Sequence, residues 1–278
     1  MKSMKCGKIF FALFFLFFSS VSSWAVSCTD GSGKDLDGDI VVISIFADDV
    51  YTTWGKDRVN TYALDVMNYM DVATAWIKSS VKKYGAKPNF IYNFFENGGI
   101  YYKAKFDVDL TDWNVNDAAV WKYIDEKINL NWIKVNFNTD NIFFMVYVNT
   151  PRSNPVPPAA RSFYEGMKRP YEIVYVYRYR DKNETPPSIY AHEMLHIFGA
   201  KDLYYADSRN GFTQEFVDYC AKNHKNDIMY TISDMKLGGV HYHKITNVLS
   251  DLDAYYLGLK NYCPEVDRFK LNKCEHKH

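Results

Sequence analysis

His192-Glu193-Met194-Leu195-His196-Ile197-Phe198-Gly199-Ala200-Lys201-Asp202 is the stretch on which the reading of this chain turns. On an α-helix, residues four apart lie one turn apart on one face, so the imidazoles of His192 and His196 reach a single point. Two imidazoles at that spacing form a metal-ligand pair, and Glu193 then stands beside the ion, not on it. A carboxylate so placed can take the proton from a water whose pKa zinc lowers to about 7, and the hydroxide attacks a carbonyl carbon. The stretch therefore predicts Zn2+ as cofactor, His192 and His196 as ligands and Glu193 as catalytic base. The plainer reading is a helix whose histidines only cap or pack.

The ends of that helix are marked. Thr185 is an N-cap candidate with Pro186 at the first helical position, and Ser188 is a second possible cap. Gly199 stands where a helix terminus needs left-handed backbone, and a sharp turn there brings the residue three positions on back toward the metal. That residue is Asp202, a third ligand that would leave the fourth zinc position to water, as a catalytic site requires. Alternatively Asp202 caps the next turn.

The pattern H-E-x-x-H-x-x-G-x-x-D resembles the metzincin clan of zinc peptidases, in the variant shared by secreted bacterial snapalysin-like and immune-inhibitor-A-like peptidases. Asp227-Ile228-Met229-Tyr230 resembles the Met-turn that underlies zinc in that clan, which makes Met229 a supporting residue. In several members a tyrosine two residues after the methionine approaches the metal. Here Tyr230 follows it directly, and it is the candidate transition-state donor. Ser250-Asp251-Leu252-Asp253 opens a last helix by a capping box, running to Gly258. The similarity spans Thr185 to Gly258. It implies an α+β, metzincin-like fold: a twisted mixed sheet with helices in an N-terminal lobe (residues 40–199), a smaller irregular and helical C-terminal lobe (200–278), and a cleft between them. It also implies a zinc endopeptidase acting on protein or peptide substrates. A competitor for third ligand is Glu215, on a helix expected from Phe212 to Cys220, as in the thermolysin-like gluzincins. Gly199 and the Met229 turn favour Asp202, because a helix-ending glycine has no part in bringing Glu215 to the ion.

Composition bounds the rest. Residues 1–25 read as a secretory signal: Lys2, Lys5 and Lys8 precede the apolar run Ile9 to Phe18, and Ser23-Trp24-Ala25 offers a cleavage site. The run falls short of the ~20 apolar residues that span a bilayer, so no transmembrane segment is expected after its removal. The destination is secreted, periplasmic or cell-surface, with lipidation at Cys28 as an alternative. Residues 26–39 form a flexible lead-in and 40–278 a single catalytic domain, expected to be monomeric. Cys28, Cys220, Cys263 and Cys274 remain after cleavage, an even number that allows two disulfides, for instance Cys263 with Cys274 and Cys28 with Cys220. Acidic and basic residues balance at 33 each, leaving no field to attract nucleic acid. The 23 tyrosines suit core edges and strand faces, or else a substrate groove.

Along the chain, Ile40 to Phe46 reads as a buried strand and Lys56 to Tyr84 as a helix, with Val59, Tyr62, Val66, Met70, Ala73, Ile77 and Val81 in period. Phe90 to Phe95 and Ile100 to Leu110 read as strands around the turn Asn97-Gly98-Gly99, Asn116 to Ile128 as a helix, and Ile142 to Val148 as a strand. Thr150 to Pro170 holds five prolines and is predicted to be an irregular loop bordering the cleft. The strand Tyr171 to Tyr179 follows. By the resemblance it is a candidate rim for pairing with extended substrate, and otherwise an ordinary edge strand. His241 and His243 lack a third ligand in evident spacing. Two other functions stay open: a secreted, non-catalytic zinc-stabilised binding or adhesion module, and an amidase acting on cell-wall peptides.

Overall fold

A computed structural model of the chain describes residues 35–55, 58–93, 98–153, 160–161, 171–180, 183–234, 236 and 238–273. The elements follow as β1 (Asp39–Asp48), α1 (Arg58–Val81), β2 (Asn89–Ile91), β3 (Tyr101–Lys105), α2 (Asn116–Lys127), α3 (Leu130–Phe137) and β4 (Ile142–Val148). Next come β5 (Ala160–Arg161), β6 (Ile173–Tyr177), β7 (Tyr179–Arg180), β8 (Asn183–Glu184), α4 (Pro187–Ile197), α5 (Gln214–Asn223), α6 (Asp251–Tyr256) and α7 (Pro264–Arg268). The class is mixed α+β.

The sheet is built around β1, whose β-branched run is buried on both faces as a central parallel strand must be. On one edge β1 pairs in parallel with β4, and β4 with β6. Parallel neighbours need long crossovers, and the 24-residue α1 supplies the one from β1 to β2. The two strands expected around Asn97-Gly98-Gly99 are present, but among the described residues they do not pair with each other. Instead β2 and β3 both run parallel to β1, β2 against Asp39 to Val41 and β3 against Ser44 to Asp48. Each strand finds its backbone partners on the long central strand, so neither needs the other.

Alternation along β1 divides the core. Ile40, Val42 and Phe46 pack with α1, α4 and residues of α5 and α6. Val41, Ile43, Ile45 and Ala47 pack with Val120, Ile124 and Ile133 of α2 and α3. The metal helix α4 is thereby seated on the sheet: Phe198, fully buried, meets Phe143 of β4 edge-on at 6.0 Å. Tyr190 meets Tyr69 of α1 edge-on at 5.9 Å. Burying a side chain such as Phe198 stabilises by about 1.5–3 kcal/mol.

The segment preceding α4 corrects the sequence reading. β6 is no open edge at its start, because β5 pairs antiparallel with Ile173 and Val174, and all five of its residues are buried, Tyr175 and Tyr177 included. The chain then turns through the short β7–β8 pair. The helix starts one residue later than expected: Pro187 takes the first position behind Pro186. Thr185 donates its hydroxyl to the Tyr177 carbonyl and does not cap. Beyond Gly199 the described chain is helices and turns, with isolated pairings only at Asp207–Phe212 and Asp227–Val248. No helix among the described residues is long and apolar enough to cross a membrane.

Candidate metal centre

All eleven residues of α4 are buried, so its two histidines sit in the protein interior at one turn's spacing. Each ring is fixed from behind. His192 Nδ1 lies 2.9 Å from the Ile228 carbonyl oxygen, and His196 Nδ1 lies 2.7 Å from that of Ala200. A carbonyl only accepts, so each Nδ1 carries a proton and each ring turns its Nε2 inward, a lone pair whenever the imidazole is neutral. The two Nε2 atoms are 3.2 Å apart.

Asp202 closes the figure. Its Oδ1 is 3.1 Å from His192 Nε2 and 3.2 Å from His196 Nε2, and it is buried with no hydrogen-bond donor on it. The three atoms form a nearly equilateral triangle that a single cation would satisfy. Tetrahedral zinc with bonds of roughly 2.0–2.2 Å spaces its ligand atoms about 3.4 Å apart, close to the edges found here. The residues present fit the ion. Burial opposes charge on Asp202, but His196 and His192 outweigh it and hold the carboxyl well below its ordinary range. Burial likewise opposes charge on His192, and Glu193, followed by Asp202, reverses that and raises its pKa.

Gly199 is what returns the chain. It adopts φ 106°, a conformation that residues with a Cβ avoid. Its N–H donates to His196 O at 3.0 Å, and the turn presents the Ala200 carbonyl to His196. Glu193 stands back as the spacing predicts, its oxygens 4.0 Å and 3.9 Å from the two Nε2 atoms. His192, Glu193 and His196 form a cluster that could hold a metal ion, and Asp202 Oδ1 lies against the same two histidines. Glu215, the rival third ligand, lies exposed in the first turn of α5.

Asp227 to Tyr230 forms the expected turn with Met229 fully buried. It is bound to the site twice. Ile228 O holds His192, and Met229 O accepts the N–H of Leu203, the neighbour of Asp202, at 3.0 Å.

His192 and Glu193 open onto a cleft of about 670 Å³, whose walls include Asn183 and Glu184 of β8, Tyr204 and Tyr230. The cleft rim before α4 is therefore β8 and not β6. Arg178 at 3.0 Å and the Tyr69 hydroxyl at 3.0 Å hold Glu184 in place. The aromatic ring against the metal ligands is that of Tyr204, two residues after Asp202, which stacks on His192 at 6.4 Å between centroids. Burial raises the Tyr204 phenol pKa well beyond its usual value, and the charges of Asp202 and Glu193 add to that. Sequence reasoning missed Tyr204. The signal was the pair Tyr204-Tyr205 directly after the third ligand.

The remaining candidates fall elsewhere. His241 Nε2 bonds Asp234 at 3.0 Å, with His243 alongside. Cys220 and Cys263 are buried free thiols, and Cys263 donates to Glu265 at 2.9 Å. The signal segment 1–25, Cys28, Cys274 and most of 150–170 lie outside the described residues. Comparison of the sequence with known protein families and with curated proteins finds no match.

Proposed function

We propose that the chain is an exported zinc-dependent endopeptidase with a metzincin-like site. The observation that carries this reading is the triangle of His192 Nε2, His196 Nε2 and Asp202 Oδ1, with Glu193 set back from it at the cleft. The first three residues would hold zinc, which when bound polarises a carbonyl and lowers the pKa of water. Glu193 takes the proton of the attacking water as its oxygen bonds to the peptide carbonyl carbon. It then delivers that proton to the amine nitrogen as the C–N bond breaks. Tyr204, stacked on His192 with its phenol pKa raised, would donate to the developing oxyanion. The lead residues 1–25 supply the export signal.

A metal-stabilised binding module has no use for a carboxylate at Glu193 facing the open cleft. The test is Glu193→Ala, which should keep one zinc per chain and lose at least about a hundredfold in casein hydrolysis. Undiminished hydrolysis by the variant would overturn the mechanism. Turnover of peptidoglycan peptides with none of casein would move the enzyme to the cell-wall amidases.

A further inference from the structure

Asp227 and Asp253 are buried acids, 0 % and 1 % exposed, that the chemistry above does not use. One oxygen of each has a backbone donor: Asp227 Oδ1 accepts from Met229 N–H at 2.7 Å, and Asp253 Oδ2 from Ser250 N–H at 3.0 Å. The other two, Asp227 Oδ2 and Asp253 Oδ1, are fully buried with no donor of their own. Asp227 is bridged to Val248, two residues before Ser250, and Ser250 is locked to Asp253 by their capping box, so the backbone brings the two acids together beside Ser250. His224 has its Nδ1 at 3.8 Å from Asp227 Oδ2, too long for a hydrogen bond, and its charge when protonated opposes but does not reverse the effect of burial on Asp227. Two carboxylates cannot both stay ionised side by side in the interior. Burial raises the pKa of both acids, and the Asp227 charge raises that of Asp253 further.

We propose that Asp227 and Asp253 share one proton, and that the resulting hydrogen bond makes them positioning residues for the metal centre. The route from the pair to the ligands is short. Asp227 fixes Met229 N–H and so shapes the turn whose Ile228 carbonyl aims His192 and whose Met229 carbonyl holds the residue beside Asp202. Asp253 is immobilised by the capping box it makes with Ser250 at the start of α6, so α6 is the anchor. The inference rests on the metal-site reading above.

Asparagine variants test it, because an amide offers one acceptor and one donor side. In Asp253→Asn the oxygen can keep Ser250 N–H while the NH₂ donates to Asp227. In Asp227→Asn the oxygen can keep Met229 N–H while the NH₂ donates to Asp253. Each single variant should bind zinc within about threefold of wild type, whereas the double variant, with two NH₂ groups face to face, should lose about 10–100-fold. Zinc competition titration and melting curves read both effects. Infrared spectra at neutral pH should show a protonated-carboxyl stretch in wild type that Asp253→Asn lacks. A double variant as good as the singles, or a wild type without that band, overturns the shared proton. If the double variant does not fold, the infrared comparison of the two folded proteins decides alone. If wild type binds no zinc, the metal-site reading fails, while the infrared band and the non-additive melting loss still report on the pair.

Discussion

Asp202 and Glu215 put the residue-scale question most sharply, since both are acids downstream of the same histidine pair. Metal coordination needs an oxygen aimed at the Nε2 atoms, and only Asp202 has one, at 3.1 Å and 3.2 Å. Glu215 is solvated on the outer face of α5. A buried carboxylate that loses its partners is costly, and rings that lose their third ligand bind metal weakly. Asp202→Ala should therefore weaken zinc binding by orders of magnitude, while Glu215→Ala leaves it unchanged, as read by competition against a chromophoric chelator. The reverse pattern would overturn the proposed metzincin-like reading of the site.

At the level of elements, the period-3.6 runs and the continuous apolar strands were legible because burial writes them directly into the sequence: Ile142 to Val148 is found as a strand to the residue. Gly199 was legible for another reason, its backbone need being local. What the sequence hid was pairing. Nothing in Asn89 to Ile91 or Tyr101 to Lys105 says that both strands will lie along β1 and not on each other, because the partner is tens of residues away. The same holds for β5, which covers the start of β6 and moves the cleft rim to Asn183 and Glu184. The helix α3 also went unread, its one buried residue, Ile133, giving no period. Gly199 yields the prediction at this scale. An alanine at φ 106° strains the turn by about 1–2 kcal/mol and displaces both Ala200 O and Asp202. Gly199→Ala should thus lower stability and zinc affinity together in urea melts and zinc titrations. Gly85→Ala, at φ 91° with open space around it and remote from the site, should lower stability alone. Equal effects on zinc from the two would separate the Gly199 turn from the metal centre.

For the molecule as a whole, the cysteines decide how the helical half beyond Gly199 is held together. An even count, if the chain is exported as proposed, suggests covalent stapling, with Cys220 joined to Cys28 and Cys263 to Cys274. The structure gives those two residues a different setting. Cys220 is 0 % exposed on α5, and Cys263 is 1 % exposed before α7 with its thiol donating to Glu265. Burial pushes both thiols up to about 12, with nearby carboxylates adding to the effect. Only the thiolate reacts with alkylating reagents, so at pH 8 both should be inert in the folded protein on two counts, access and charge. With these thiols unlinked, the half is stabilised by burial: Phe216, Leu252, Tyr256 and Val266 share their core with the sheet. Unfolding the mature protein in guanidinium without reductant should release Cys220 and Cys263 to iodoacetamide, identified by peptide mass spectrometry. If both stay blocked until a reductant is added, disulfides to Cys28 and Cys274 hold this half instead, and its stability comes from cross-links as well as from packing.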